Sequence, residues 1–123
     1  MDQVRHAATV ITAPAAARAV PTAKEFLAKH RRNDALFDVW SIVHIVTGIA
    51  IGWLVEPFIG LLAMVLWEPL EILVLSPILA RWQILFGHES LKNSMSDVFF
   101  DGLGVAAGYW GLRALVDPPF QLF

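Results

Sequence analysis

Residues 90–111, S-L-K-N-S-M-S-D-V-F-F-D-G-L-G-V-A-A-G-Y-W-G, constrain what this chain can fold into more than any other stretch. Wound as a helix at about 100° per residue, they place Ser90, Ser94, Asp97, Asp101, Gly104 and Gly108 on one side. That side changes from hydroxyls, through two carboxylates, to bare backbone. A helix in water turns its aspartates to solvent and its phenylalanines to a core. It also carries few glycines, because each costs about 1 kcal/mol against alanine. In lipid the logic reverses: small residues let backbones approach, and an ionisable group persists only against other protein or a wet cavity. The stretch therefore predicts a membrane helix presenting a polar seam to its neighbours.

Composition agrees. Of 123 residues, 57% are hydrophobic and 16% charged, against about 25% charged in soluble domains. Five tryptophans and eight phenylalanines suit interfacial belts and lipid-facing surface. A net charge of −2, with no basic–aromatic ladder, argues against a nucleic-acid partner. The absence of cysteine excludes disulfides and thiolate chemistry.

Residues 1–21, rich in Ala, Val, Thr and Pro and nearly free of acids, predict a disordered tail. The same composition also fits an organelle transit peptide. Thr22-Ala-Lys-Glu25 fits a capping box opening a short juxtamembrane helix within 22–34, either lying on the membrane surface or forming a solvated linker. Asn33 or Asp34 is expected to cap a first span over 35–55, which at 1.5 Å per residue is about 31 Å long. Glu56-Pro57 then turns the chain into a second span over 58–75, with Pro69 kinking it beside Glu68 and Glu71. Ser76-Pro77 reads as the start of an interfacial helix, with continuation of the span to Phe86 as the alternative. The third span is expected over 95–116, closed by Asp117-Pro118-Pro119 and a tail at 118–123. These expectations amount to an all-α integral membrane three-helix bundle over 35–117 with one or two interfacial amphipathic helices. Arg5, Arg18, Lys24, Lys29, Arg31, Arg32, Arg81 and Lys92 fall on one side, leaving only Arg113 on the other. The N-terminus is therefore expected inside and the C-terminus outside.

Each expected span carries an ionisable group at a similar depth. His44 lies about 12 Å from the inner end, Glu68 about 11 Å and Asp101 about 9 Å, with Glu71 and Asp97 shallower. Ser90, Asn93 and Ser94 stand as supporting polar residues, and Gly48, Gly52, Gly104 and Gly108 as close-packing positions. Four carboxylates meeting one imidazole, with no lysine or arginine at that depth, leave two arrangements open. Either some carboxyls stay protonated, or a divalent metal ion sits among His44, Glu68, Glu71 and Asp101. Oxygen-rich ligands with one nitrogen suit Mg²⁺, Mn²⁺, Fe²⁺ or Zn²⁺. The Glu-x-x-His pair of di-iron bundles is absent, since Glu68-x-x-Glu71 lacks the histidine.

His44, Trp67-Glu68-x-x-Glu71, and Asn93-Ser94-x-x-Asp97 leading to Gly104-x-x-x-Gly108 resemble the VanZ-like group of small bacterial membrane proteins. With Ser76-Pro77, Phe86-Gly87 and Ser90 in order between them, the chain more closely resembles a set of uncharacterised relatives of that group. The likeness covers about residues 38–111. It departs where Ile-Leu-Val-Leu separates Glu71 from Ser76 and where Gly87-His88-Glu89-Ser90 is one residue longer. The resemblance implies a helical protein of the bacterial inner membrane and a link to envelope lipids or glycopeptide tolerance, without assigning a reaction. Two functions follow as expectations. In one, the protein acts on or binds a lipid or amphiphile through His44, Glu68, Glu71, Asp97 and Asp101. In the other, it is a non-catalytic accessory subunit of a larger membrane complex, or a homo-oligomer.

Overall fold

The computed structural model describes residues 19–120 and 122, and within them the chain is all-helical, with no strand longer than an isolated bridge. Residues 1–18, most of the expected tail, lie outside the described residues. Helix α1, Ala23–Lys29, begins at a complete capping box: the Thr22 hydroxyl accepts from the Glu25 amide, and the Glu25 carboxylate accepts from the Thr22 amide (2.8 Å).

Helix α2, Val39–Leu54, starts four residues later than the expected first span. Asp38, rather than Asn33 or Asp34, caps it. The Asp38 carboxylate accepts from the amides of Trp40 (2.7 Å) and Ser41 (3.2 Å), and the Ser41 hydroxyl accepts from the Asp38 amide in return. Asn33 is engaged elsewhere: its amide donates to His88 O and its carbonyl accepts from the Ser90 amide. That bridge ties the segment before α2 to the loop before the last helix.

Helix α3 runs unbroken over Pro57–Ala80, with Pro57 in its first turn and the Glu56 carboxylate accepting from the Ile59 amide. No new helix starts at Ser76-Pro77. The chain widens into a π-helical turn over Glu71–Leu75, where the Ser76 amide bonds Glu71 O five residues back. Pro77 has no amide to give, and the wider turn carries the helix past it. Residues 81–90 form a loop instead of the expected interfacial helix.

Helix α4 begins at Leu91, capped by Ser90, and continues over Leu91–Ala106, a π-helical turn Ala107–Leu112 and a last turn Arg113–Leu115. Among the described residues, α3 is the one helix long and apolar enough to cross a membrane by length and composition alone. Helix α2 has only 16 residues, about 24 Å at 1.5 Å each. In α4 the carboxylates lower the apolar content.

Helices α2 and α4 run parallel and form the principal contact of the fold. A Cβ added at Gly48 would lie 2.8 Å from Asp101 O, and one at Gly104 2.4 Å from Ile45 O, so backbone meets backbone. Arg113 closes the far end, donating from Nε to Trp53 O (2.6 Å) and from a terminal nitrogen to Val55 O, and so covering the last carbonyls of α2. The C-terminal tail returns to the same place, the Leu122 amide donating to Leu54 O (2.9 Å). Helix α3 lies antiparallel to both, packing mainly on α4 and leaving a cleft against α2.

The resulting interior is inverted. Among the described residues the buried apolar side chains are Met64, Ala80 and Val105, whereas nine polar or charged residues are buried. Val46, Phe58, Leu73 and Trp110, by contrast, lie largely exposed.

Candidate functional site

Most of the buried polar residues gather where α2, α3 and α4 meet, and helical spacing explains the arrangement. Asp38 sets the start of α2, so Ser41 and His44, one turn apart, face α4. Ser90 sets the start of α4, so Asn93, Ser94, Asp97 and Asp101 face inward. Asn93, Asp97 and Asp101 have no exposed surface at all. The Ser41 hydroxyl donates to Asp97 Oδ1 (3.3 Å), and His44 Nδ1 lies 3.0 Å from Asp101 Oδ1.

Helix α3 brings the third element. The Ser94 hydroxyl donates to Glu68 Oε2 (2.5 Å), which leaves Glu68 Oε1 turned toward His44, 3.9 Å from Nδ1. One ligand atom each from His44, Glu68 and Asp101 thus lies within 4.8 Å of the others. Glu71 does not join this trio. Three residues beyond Glu68, and so about 60° round the helix from it, Glu71 faces the cleft, where Trp67 Nε1 donates to its Oε2 (2.7 Å). Asp97 sits one turn nearer the loop, held by Ser41. Of the supporting residues, Ser94 bonds the site directly, Ser90 caps α4 and bonds Asp34 (2.7 Å), and Asn93 donates to Ala35 O (3.0 Å).

Glu89, in the loop, completes the cluster and was not singled out from the sequence. Its carboxyl is half-buried beside those of Glu68 and Glu71. Loss of solvent, and then the nearby Glu68, Glu71 and Asp97, push its pKa up to about 8. Glu89, Asn93, Asp97 and Asp101 are spaced by four residues, and that repeat was the available signal. Gly87, at φ +59°, lets the loop lie on Glu71: a Cβ there would be 2.7 Å from Glu71 Cγ. Among the described residues no lysine or arginine forms an ion pair with any of the five carboxylates.

The raised Glu89 pKa has a direct consequence. Between about pH 4.5, the ordinary value, and about pH 8, the folded chain keeps a proton that the unfolded chain releases, so stability falls as pH rises through this window. Glu89→Gln should flatten that slope and raise stability at pH 8, by on the order of 1 kcal/mol at this partly solvated position. Thermal unfolding in mild detergent at pH 5 and pH 8 checks this. Equal slopes for the two proteins would contradict it.

A cleft of about 350 Å³ between α2 and α3 adjoins the cluster. Val43, Thr47, Ile51, Ala63 and Met64 give it apolar walls, and His44, Glu71 and Trp67 a polar end. The same His44 and Glu71 also line a polar mouth with Arg31, Asn33, His88 and Glu89. Trp40, packed edge-on against Phe86 (5.7 Å), stands between the two. The arrangement can bind a molecule that is apolar along its length and polar at one end.

No protein-family model, curated protein or solved structure matches this chain.

Proposed function

We propose that this is a small integral membrane protein that crosses the bilayer with α2, α3 and α4 and binds an amphiphile. The amphiphile's apolar part lies in the cleft, and its headgroup lies against His44, Glu71 and the mouth. The cleft carries the reading: its walls are apolar and its one polar end coincides with the buried cluster. The inverted interior supports the membrane setting, because exposed Val46, Phe58 and Leu73 suit lipid while buried carboxylates need protein partners. Leu36 and Phe37, exposed just before α2, extend its apolar reach. Basic residues before α2 and in the 81–92 segment favour a cytoplasmic N-terminus and an outward C-terminus. The VanZ-like motifs favour the bacterial inner membrane and an envelope lipid as the class of ligand.

Purification in mild detergent, followed by mass spectrometry of the extracted lipid fraction, tests the reading. Wild-type protein should retain a defined amphiphile. Thr47→Trp and Ala63→Trp, which fill the cleft, should lower retention by about tenfold or more, equivalent to about 1.4 kcal/mol. Undiminished retention in both would refute the cleft. The same exposed apolar faces would suit partner helices. Stoichiometric co-purification with other membrane proteins and no bound amphiphile would establish the accessory-subunit reading in its place.

A further inference from the structure

We infer that His44 Nδ1, Glu68 Oε1 and an Asp101 carboxylate oxygen bind a divalent first-row transition-metal ion at the headgroup end of the cleft. The first observation is geometric. Two ligand atoms about 2.1 Å from one ion are separated by about 3.0 Å when adjacent and about 4.2 Å when opposite. His44 Nδ1 is 3.0 Å from Asp101 Oδ1 and 3.9 Å from Glu68 Oε1, and the trio fits within 4.8 Å. These are the edges of a coordination sphere with little adjustment.

The second observation is independent of the first. Among the described residues four buried side-chain oxygens lack a hydrogen-bond partner, Glu68 Oε1, Asn93 Oδ1, Asp97 Oδ2 and Asp101 Oδ2. Two of the four, Glu68 Oε1 and Asp101 Oδ2, belong to the trio, in residues 4% and 0% exposed. Buried polar atoms are ordinarily satisfied, and a single proton shared in the trio would serve only one of these two oxygens at a time. One divalent ion would take up Glu68 Oε1 and the Asp101 carboxylate together, where among the described residues no lysine or arginine pairs with either. The surroundings are arranged for the same end. Ser94 donates to Glu68 Oε2 and so orients Oε1 inward, as outer partners of metal-ligating carboxylates do. Two carboxylates with one imidazole favour Mn²⁺, Fe²⁺ or Zn²⁺ over Mg²⁺.

Binding of the ion stands on the trio alone; only its contact with a headgroup rests on the amphiphile reading. His44 lines the cleft and the mouth, so an ion on its Nδ1 would meet an anionic headgroup, a phosphate or a carboxylate.

The test uses tag-free protein in mild detergent. Elemental analysis of material purified without chelator should find on the order of one transition-metal ion per chain, given three protein ligands to a single ion. Chelator-stripped protein should bind Mn²⁺ saturably by electron paramagnetic resonance. His44→Ala, Glu68→Gln and Asp101→Asn should each weaken binding by about tenfold or more. Asp117→Asn, exposed after the far end of α4, should leave it unchanged. Ala63→Trp should keep the ion while losing the amphiphile, which separates failure of this inference from failure of the cleft. Absence of saturable Mn²⁺ or Zn²⁺ binding by the wild-type protein would overturn the inference, whatever the variants do. So would binding that survives all three ligand substitutions in variants that retain wild-type helicity.

Discussion

Gly52→Ala is expected to be among the most destabilising single substitutions in this chain, although alanine is the better helix former. A Cβ at Gly52 would lie 2.1 Å from Val105 O and 2.8 Å from Val105 Cα, and one at Gly108 would lie 2.1 Å from Ile49 O. These neighbours are backbone atoms of the opposing helix, so no side-chain rotation relieves the overlap. The helices must separate. Propensity alone would gain about 1 kcal/mol, but overpacking at a close helix contact costs about 1–3 kcal/mol and more where backbone must move. Separation would also draw Asp101 away from His44, which the same contact holds at 3.0 Å. Gly111→Ala supplies the control, because nothing lies within 4 Å of its added Cβ. Unfolding in detergent should show Gly52→Ala and Gly108→Ala strongly destabilised and Gly111→Ala unchanged or slightly more stable. Equal stability across all three would contradict the close contact of α2 and α4.

The second large effect is expected at Asp101. Asp101→Asn keeps the volume and the helix while removing the charge opposite His44. Hydrogen bonds to charged groups are worth about 1.5–3 kcal/mol, so amphiphile retention and any phenotype that depends on it should fall by about one to two orders of magnitude. Membrane insertion and helicity should not change, because the apolar surface is untouched. His44→Ala and Glu68→Gln should act in the same direction. If all three retain ligand and phenotype as wild type does, the cluster has no functional role and its convergence is structural.

The convergence of His44, Glu68 and Asp101 was legible in the sequence because it depends on two regular quantities, helical period and depth per residue. What was not legible lies where regularity fails. Pro77 after Ser76 carries the signal of a helix start, but a π-helical turn over Glu71–Leu75 lets α3 pass it. Glu71 parts from Glu68 because Trp67 Nε1 holds its carboxylate on the cleft side, a side-chain contact that spacing alone does not predict. The Asp38–Ser41 capping box was hidden because the apolar pattern already begins at Ala35. Glu89 was overlooked because it precedes the helix whose spacing it shares, and only the loop held by Gly87 and the Asn33 bridge brings it to Glu68.

The central claim is that these helices cross a bilayer with their polar side turned inward, and the absence of native cysteine makes it directly testable. Single cysteines can be placed at Lys24, Val46, Leu73 and Asp117 and labelled in intact cells with a membrane-impermeant maleimide. The account predicts labelling of Asp117→Cys from outside, and of Lys24→Cys only after the membrane is permeabilised. Val46→Cys and Leu73→Cys, exposed on α2 and α3, should stay unlabelled in the membrane. Labelling of all four by the water-soluble reagent, in protein released without detergent, would contradict it.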